Sequence, residues 1–127
     1  MFEKSWHQHY DYNVPTTIRY PRLPAHDLYL LAANTFPDKP ALNFYGTETT
    51  FWELRSQVRR MTSALGALGV KKGERVGIHL PNCPQFVISY LASLSLGAVV
   101  VNLNPMYTAD ELGFIVQNTG METLITF

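Results

Sequence analysis

The chain has a single cysteine, Cys83, so no disulfide can close within it. That excludes a disulfide-stapled scaffold and fits a reducing, cytoplasmic setting. An excess of charge of one sign is also lacking, since ten Lys and Arg balance ten Asp and Glu. No bulk electrostatic case exists for nucleic acid or for an anionic membrane surface. The opening "MFEKSWHQHYDY" has no apolar run and does not read as a secretory signal. Neither G-x-G-x-x-G nor G-x-x-x-x-G-K-[ST] occurs, so the chain carries no recognisable phosphate cradle. The glycines of "LGVKKGERV", Gly69 and Gly73, precede a strand pattern instead of opening a helix.

Charge of either sign is missing from Val76 to Ala109, and the 18 residues "FVISYLASLSLGAVVVNL" inside that stretch are long enough to raise a membrane span. Gly97 divides them into two patterns. Leu mixed with Ser and Ala precedes it, and small β-branched residues follow, which reads better as a helix and then a buried parallel strand. No transmembrane span is therefore expected. The chain is 46% hydrophobic and 13% aromatic, enough for a packed core over 127 residues.

Residues 1–24 carry Pro15, Pro21 and Pro24 and read as an irregular arm that packs by its aromatics. A short helix is expected over 25–35, with Leu28, Leu31 and Ala32 on one apolar face, ended by "FPDKP". "ALNFYGTETTF" predicts a hairpin, strands 41–45 and 49–51 about a turn near Gly46. Thr50 and Glu53 form a capping box that opens a helix. Phe51, Leu54, Val58, Met61, Leu65 and Leu68 follow at alternating spacings of three and four, one helical stripe, while Arg55, Arg59 and Arg60 fall mostly off it. The rival coiled-coil reading needs a longer repeat. Gly69 is placed to end the helix in the left-handed conformation. Beyond it the order is strand 75–80, helix 83–96, strand 98–103, a helix opened by the Thr108–Glu111 capping box and stopped at Gly120, and strand 122–127. That β-α-β-α-β order predicts parallel strands with right-handed crossovers and helices covering the sheet. With strand 122–127 at the end of the chain, the sheet is expected to be incomplete.

"HLPNCP" brings His79, Asn82 and Cys83 within five positions, the side-chain types of a thiol site. His79 falls on a strand, however, and Pro81 separates it from Cys83. No nearby charge would favour a thiolate or orient a base. The favoured reading makes Asn82 a helix N-cap, Pro84 a first-turn residue and Gln85 the N3 member of a capping-box variant. His7 and His9 form an H-x-H pair, but no further metal ligand has suitable spacing, and a polar aromatic arm is favoured. In open parallel sheets ligands sit beyond the carboxyl ends of strands. Asn102, Asn104 and Tyr107 in "NLNPMYT" are placed there, either to line a site or to satisfy the loop and cap helices.

"FPDKPALNFYGTETTFWEL" followed by "ALGALGVKKGERVGIHLPNCPQFVISYLASLSLGAVVVNLNPMYTADEL" resembles the N-terminal region of the adenylate-forming acyl-CoA ligases, the AMP-binding family, and most closely its long-chain fatty acid–CoA ligases. The resemblance runs from Phe36 to Leu112 and implies that residues 25–127 are the first part of a large N-terminal domain. It implies a two-step reaction. A carboxylate and ATP give an acyl-adenylate and pyrophosphate, and coenzyme A then displaces AMP, with magnesium offsetting phosphate charge. The family's Ser/Thr/Gly-rich phosphate loop, its nucleotide contacts and its catalytic lysine lie beyond the matched region. No catalytic, cofactor-binding or metal residue is therefore carried over, and the 127 residues alone are expected to be inactive. The implied partners are the remainder of a ligase chain, fatty acid, ATP and CoA; peripheral membrane contact and a homodimer are compatible. The rival readings are a stand-alone flavodoxin-like binding module and an interaction protein that docks an open sheet edge and apolar face.

Overall fold

The computed structural model describes residues 4–127; the first three residues of the expected arm lie outside the described residues. Among the described residues a 3₁₀ turn at Ser5–His9 is the one regular element before residue 25, and the expectation that the arm packs by its aromatics is corrected, since Trp6, Tyr10, Tyr12 and Tyr20 are exposed. The rest of the chain is α/β: α1 (Ala25–Thr35), β1 (Pro40–Phe44), β2 (Thr47–Thr50), α2 (Phe51–Ala67), β3 (Arg75–His79), α3 (Pro84–Ser95), β4 (Val99–Asn102), α4 (Ala109–Thr119) and β5 (Thr123–Thr126). β1 and β2 form the expected antiparallel hairpin, and β4-β3-β5 form a parallel sheet with β3 in the middle. The long uncharged stretch divides at Gly97 into α3 and β4, and no described helix is long and apolar enough to cross a membrane.

Local chemistry sets the helix boundaries. Thr50 and Glu53 close the capping box of α2, with the Glu53 amide donating to Thr50 Oγ1 and the Thr50 amide donating to the Glu53 carboxylate. Thr108 and Glu111 do the same for α4. Gly69, at φ +98°, ends α2: its amide donates to the Gly66 carbonyl, and the Val70 amide reaches back to the Leu65 carbonyl. Two otherwise orphaned carbonyls are thereby satisfied, and Val70 packs into the same core as Leu65. Gly97 ends α3 by the same pair of reversed bonds, from Gly97 to Leu94 and from Ala98 to Ser93.

The core lies between α2, α3 and one face of the sheet: Leu54, Val58, Leu65, Val70, Val76, Ala92 and Ala98. Each large member stabilises the fold by about 1.5–3 kcal/mol through removal from water. Two expectations about the helices are corrected. Leu28 and Leu31 of α1 are about half-exposed, and Ala33 is the buried residue, because α1 turns Tyr29 and Ala33 toward α2 and α3. The stripe of α2 ends at Leu65. Leu68 is 79% exposed, since the left-handed turn at Gly69 carries Val70 inward in its place.

The opposite face of the sheet is only partly covered, so the expectation of helices covering the sheet holds for one face. Side chains alternate along a strand. Val76 and Ile78 therefore face α2 and α3, while Gly77 and His79 face away. There Met121 and Leu103 close over Gly77, yet Val99 and Leu124 stay about half-exposed and α4 buries no residue completely.

Candidate functional site

The strand order creates the site. The connection from β3 runs to β4 on one side, and the next returns past β3 to β5 on the other. Right-handed crossovers in opposite directions place α3 and α4 on opposite faces of the sheet. The loops leaving β3 and β4 therefore diverge, and the carboxyl end of the sheet between them is where an open parallel sheet accepts a ligand.

His79 stands at that end, on the central strand and nine-tenths buried. The parallel register sets it opposite Thr126. Its Nδ1 lies 3.2 Å from Thr126 Oγ1, and its ring stacks on Phe127 at 5.9 Å between centroids. Its Nε2 is buried with no hydrogen-bond partner among the described residues. The neighbour that the sequence suggested, Cys83, is not the partner: the imidazole is engaged with β5. This pairing was not read from the sequence, because it depends on β5 lying beside β3 and not beside β4.

The capping expectation for "HLPNCP" is corrected. Cys83, in extended conformation, is the N-cap of α3, with no side-chain hydrogen bond to the helix, and Pro84 occupies the first turn. Asn82 lies outside the helix, so Gln85 is one position too early for a capping box. Proline at the first helical position fixes this boundary one residue later than the asparagine suggested. Asn82, Cys83 and Pro84 instead line a cleft of about 350 Å³ with Leu42, Asn43 and Phe44 of β1 and Phe86 and Val87 of α3.

In the second loop Asn104 serves the backbone. Its side-chain oxygen accepts from the Met106 amide at 2.9 Å, and its carbonyl accepts from the Tyr107 amide at 3.0 Å. Tyr107 is partly exposed, and Asn102 ends β4 in exposed register with Ile78. The Leu103 amide ties the loop to β3 through the Ile78 carbonyl at 3.0 Å. Hydrogen bonds from the Thr108 backbone and side chain hold the Glu111 carboxyl below its ordinary range. In the arm, the His7 ring sits edge-on to Trp6 and tilted against Tyr10.

No three His, Cys, Asp or Glu side chains come together as a metal site among the described residues. Glu111, on the loop side of α4, is committed to its cap. The carboxyl end therefore gathers no carboxylate cluster among the described residues. What the carboxyl end offers is an imidazole nitrogen short of a partner, asparagine and tyrosine groups at its rim, and an apolar cleft beside it.

The AMP-binding enzyme family model matches residues 31–126. The long-chain-fatty-acid–CoA ligase of Bacillus subtilis (strain 168) is 36% identical over 124 residues, 98% of this chain and 22% of that protein. The same-named enzyme of Salmonella typhimurium is 35% identical over 127 residues, 97% of this chain and 22% of its own length. The chain thus spans about 22% of the length of these curated relatives. The N-terminal subdomain of Klebsiella oxytoca NpsA superposes with a TM-score of 0.77 at 28% identity, covering 81% of this chain and 27% of that one. The inhibitor-bound N-terminal domain of FACL13 from Mycobacterium tuberculosis superposes with a TM-score of 0.74 at 27% identity, covering 78% and 25%. With the fold, the order of elements and the family match in agreement, the chain belongs to the AMP-binding enzyme family.

Proposed function

We propose that residues 25–127 are the first part of the large N-terminal domain of an ATP-dependent fatty acid–CoA ligase, preceded by an arm over residues 1–24. The observation that carries this reading is the 36% identity to a long-chain-fatty-acid–CoA ligase, sustained over 98% of the chain. In the whole enzyme a fatty carboxylate oxygen attacks the α-phosphorus of ATP and expels pyrophosphate. The CoA sulfur then attacks the acyl carbon and expels AMP. This chain supplies scaffold: three parallel strands and the loops at their carboxyl ends. No catalytic, nucleotide-binding or metal-binding role is assigned to any of its residues. ATP, CoA and magnesium belong to the parts that complete the ligase, and peripheral membrane contact and a homodimer belong to the same reading.

A chimaera provides the test. The 127 residues replace the matching region of the Bacillus subtilis ligase, and ATP–pyrophosphate exchange and thioester formation are followed with a long-chain fatty acid. The chimaera is expected to perform both, and the isolated 127 residues neither. Exchange by the isolated chain would overturn the assignment of a scaffold role. A folded chimaera that makes no adenylate would overturn the ligase reading.

A further inference from the structure

The whole chain is electrically balanced, but its charge is not evenly spread. Trp52, Ser56, Arg59 and Ser63 recur along one outward face of α2, with Arg55 and Arg60 flanking them, and together they line an open hollow of about 640 Å³. Among the described residues none of these three arginines lies within ion-pair distance of a carboxylate. Glu53, the acid within α2, is held by the capping box with Thr50, and Glu48 of β2 and Asp38 of the preceding turn lie in the segments that lead to this end of the helix. The side opposite this face is packed into the core through Leu54, Val58 and Leu65.

An apolar margin adjoins the arginines. The Trp52 indole is 64% exposed, and the Trp52 amide donates to the Pro37 carbonyl, which brings the Phe36–Lys39 turn against the start of α2. In that turn Lys39 Nζ lies 4.4 Å from the centre of the half-exposed Phe36 ring. The Arg55 guanidinium donates to Asn34 Oδ1 at 2.7 Å, which joins α1 to the same surface. Leu31, one helical turn before Asn34, and Leu28, one turn before that, are 59% and 49% exposed. A small soluble anion has no use for these apolar residues. A bilayer surface uses both kinds: guanidinium groups pair with lipid phosphates, and tryptophan settles at headgroup depth.

We propose that this face, Trp52, Arg55, Arg59 and Arg60 with Leu31 and Phe36 at its margin, docks the protein reversibly on a membrane surface bearing anionic headgroups. The proposal rests on the membrane contact read above but on none of the ligase chemistry, and vesicle binding without substrates separates the two.

The experiment uses the chain with Trp6→Phe, so that Trp52 is the sole tryptophan reporter. Vesicles of phosphatidylcholine alone and of phosphatidylcholine with phosphatidylglycerol are titrated, and binding is read by flotation and by Trp52 emission. Binding to the anionic vesicles with a blue shift is expected, weakening as salt rises from about 0.1 to 1 M and the screening length falls. Removing one of the three arginines should weaken binding by about fivefold. R59E/R60E should abolish binding, whereas K71E/K72E, equal in charge change but beyond the far end of α2, should retain it. The far-UV spectra of both variants check that exposed substitutions left the fold intact. Equal binding to phosphatidylcholine alone, or undiminished binding by folded R59E/R60E, would overturn the proposal. So would the same blue shift produced by inorganic phosphate or by soluble polyglutamate, which would assign the face to a free anion or an acidic polypeptide.

Discussion

At His79 a polar atom and the core are in conflict. Nδ1 has Thr126, but Nε2 is buried without a partner, and an unsatisfied buried polar group costs about 1–3 kcal/mol. His79→Leu removes that cost and loses one 3.2 Å contact. It should therefore raise stability by about 1 kcal/mol in a urea titration, and a lower midpoint would show that Nε2 is satisfied within this chain. Glu53 and Glu111 present the reverse case. Hydrogen bonds from Thr50 and Thr108, backbone first and hydroxyl second, pull both carboxyls below their ordinary value of 4.5. A depressed folded-state value means the stabilisation is present above about pH 4.5 and is lost as pH falls through the lower folded values. Wild type should then lose more of its stability between neutral and acid pH than E53Q/E111Q does. Parallel losses in urea midpoint at the two pH values would contradict the assignment. Thr50→Ala, which removes one half of the box, should cost about 1 kcal/mol.

Elements were legible where the signal is local. The box at Thr50, the three-and-four spacing from Leu54 to Leu65, and the glycine stops each act within one or two turns of chain. α1, the hairpin and the β-α-β-α-β series accordingly appear within a residue or two of their expected bounds. What depended on neighbours distant in sequence was not legible. The inward face of α1 is chosen by how it lies on α2 and α3, so Ala33 replaced Leu28 and Leu31. The cap of α3 went to Cys83 because the proline beside it sets the first helical position, which propensity for asparagine alone does not foresee. The imidazole–Thr126 pair required the strand order β4-β3-β5. Gly97 tests the local part of this account. Its φ is +74°, and a Cβ there would lie 2.9 Å from Lys72 Cγ. The lysine stem can shift but the backbone cannot leave the left-handed region, so Gly97→Ala should destabilise by about 1–2 kcal/mol. Unchanged thermal unfolding of Gly97→Ala would show that the α3–β4 corner tolerates a different turn.

For the whole molecule, the two faces of the parallel sheet are unequal. One is sealed by α2 and α3, with Val76 and Ile78 fully buried. The other leaves Val99 50% and Leu124 41% exposed. Both outer strands, β4 and β5, also lack a further strand among the described residues. Exposed apolar side chains beside unpaired strand edges favour association. The relatives supply its physical context, since about four-fifths of their length lies outside the matched region. This chain alone is therefore expected to bind the apolar dye ANS and to sediment faster as its concentration rises. V99K/L124K places charge on the partly exposed face while leaving Val76, Ile78 and the α2–α3 core untouched. It should keep the far-UV spectrum, lose most of the dye fluorescence and sediment as a monomer. Dye binding and association that persist in the folded double variant would move the sticky surface elsewhere, to the α1–α2 margin of Leu28, Leu31 and Trp52, where the vesicle titration would then have to account for both.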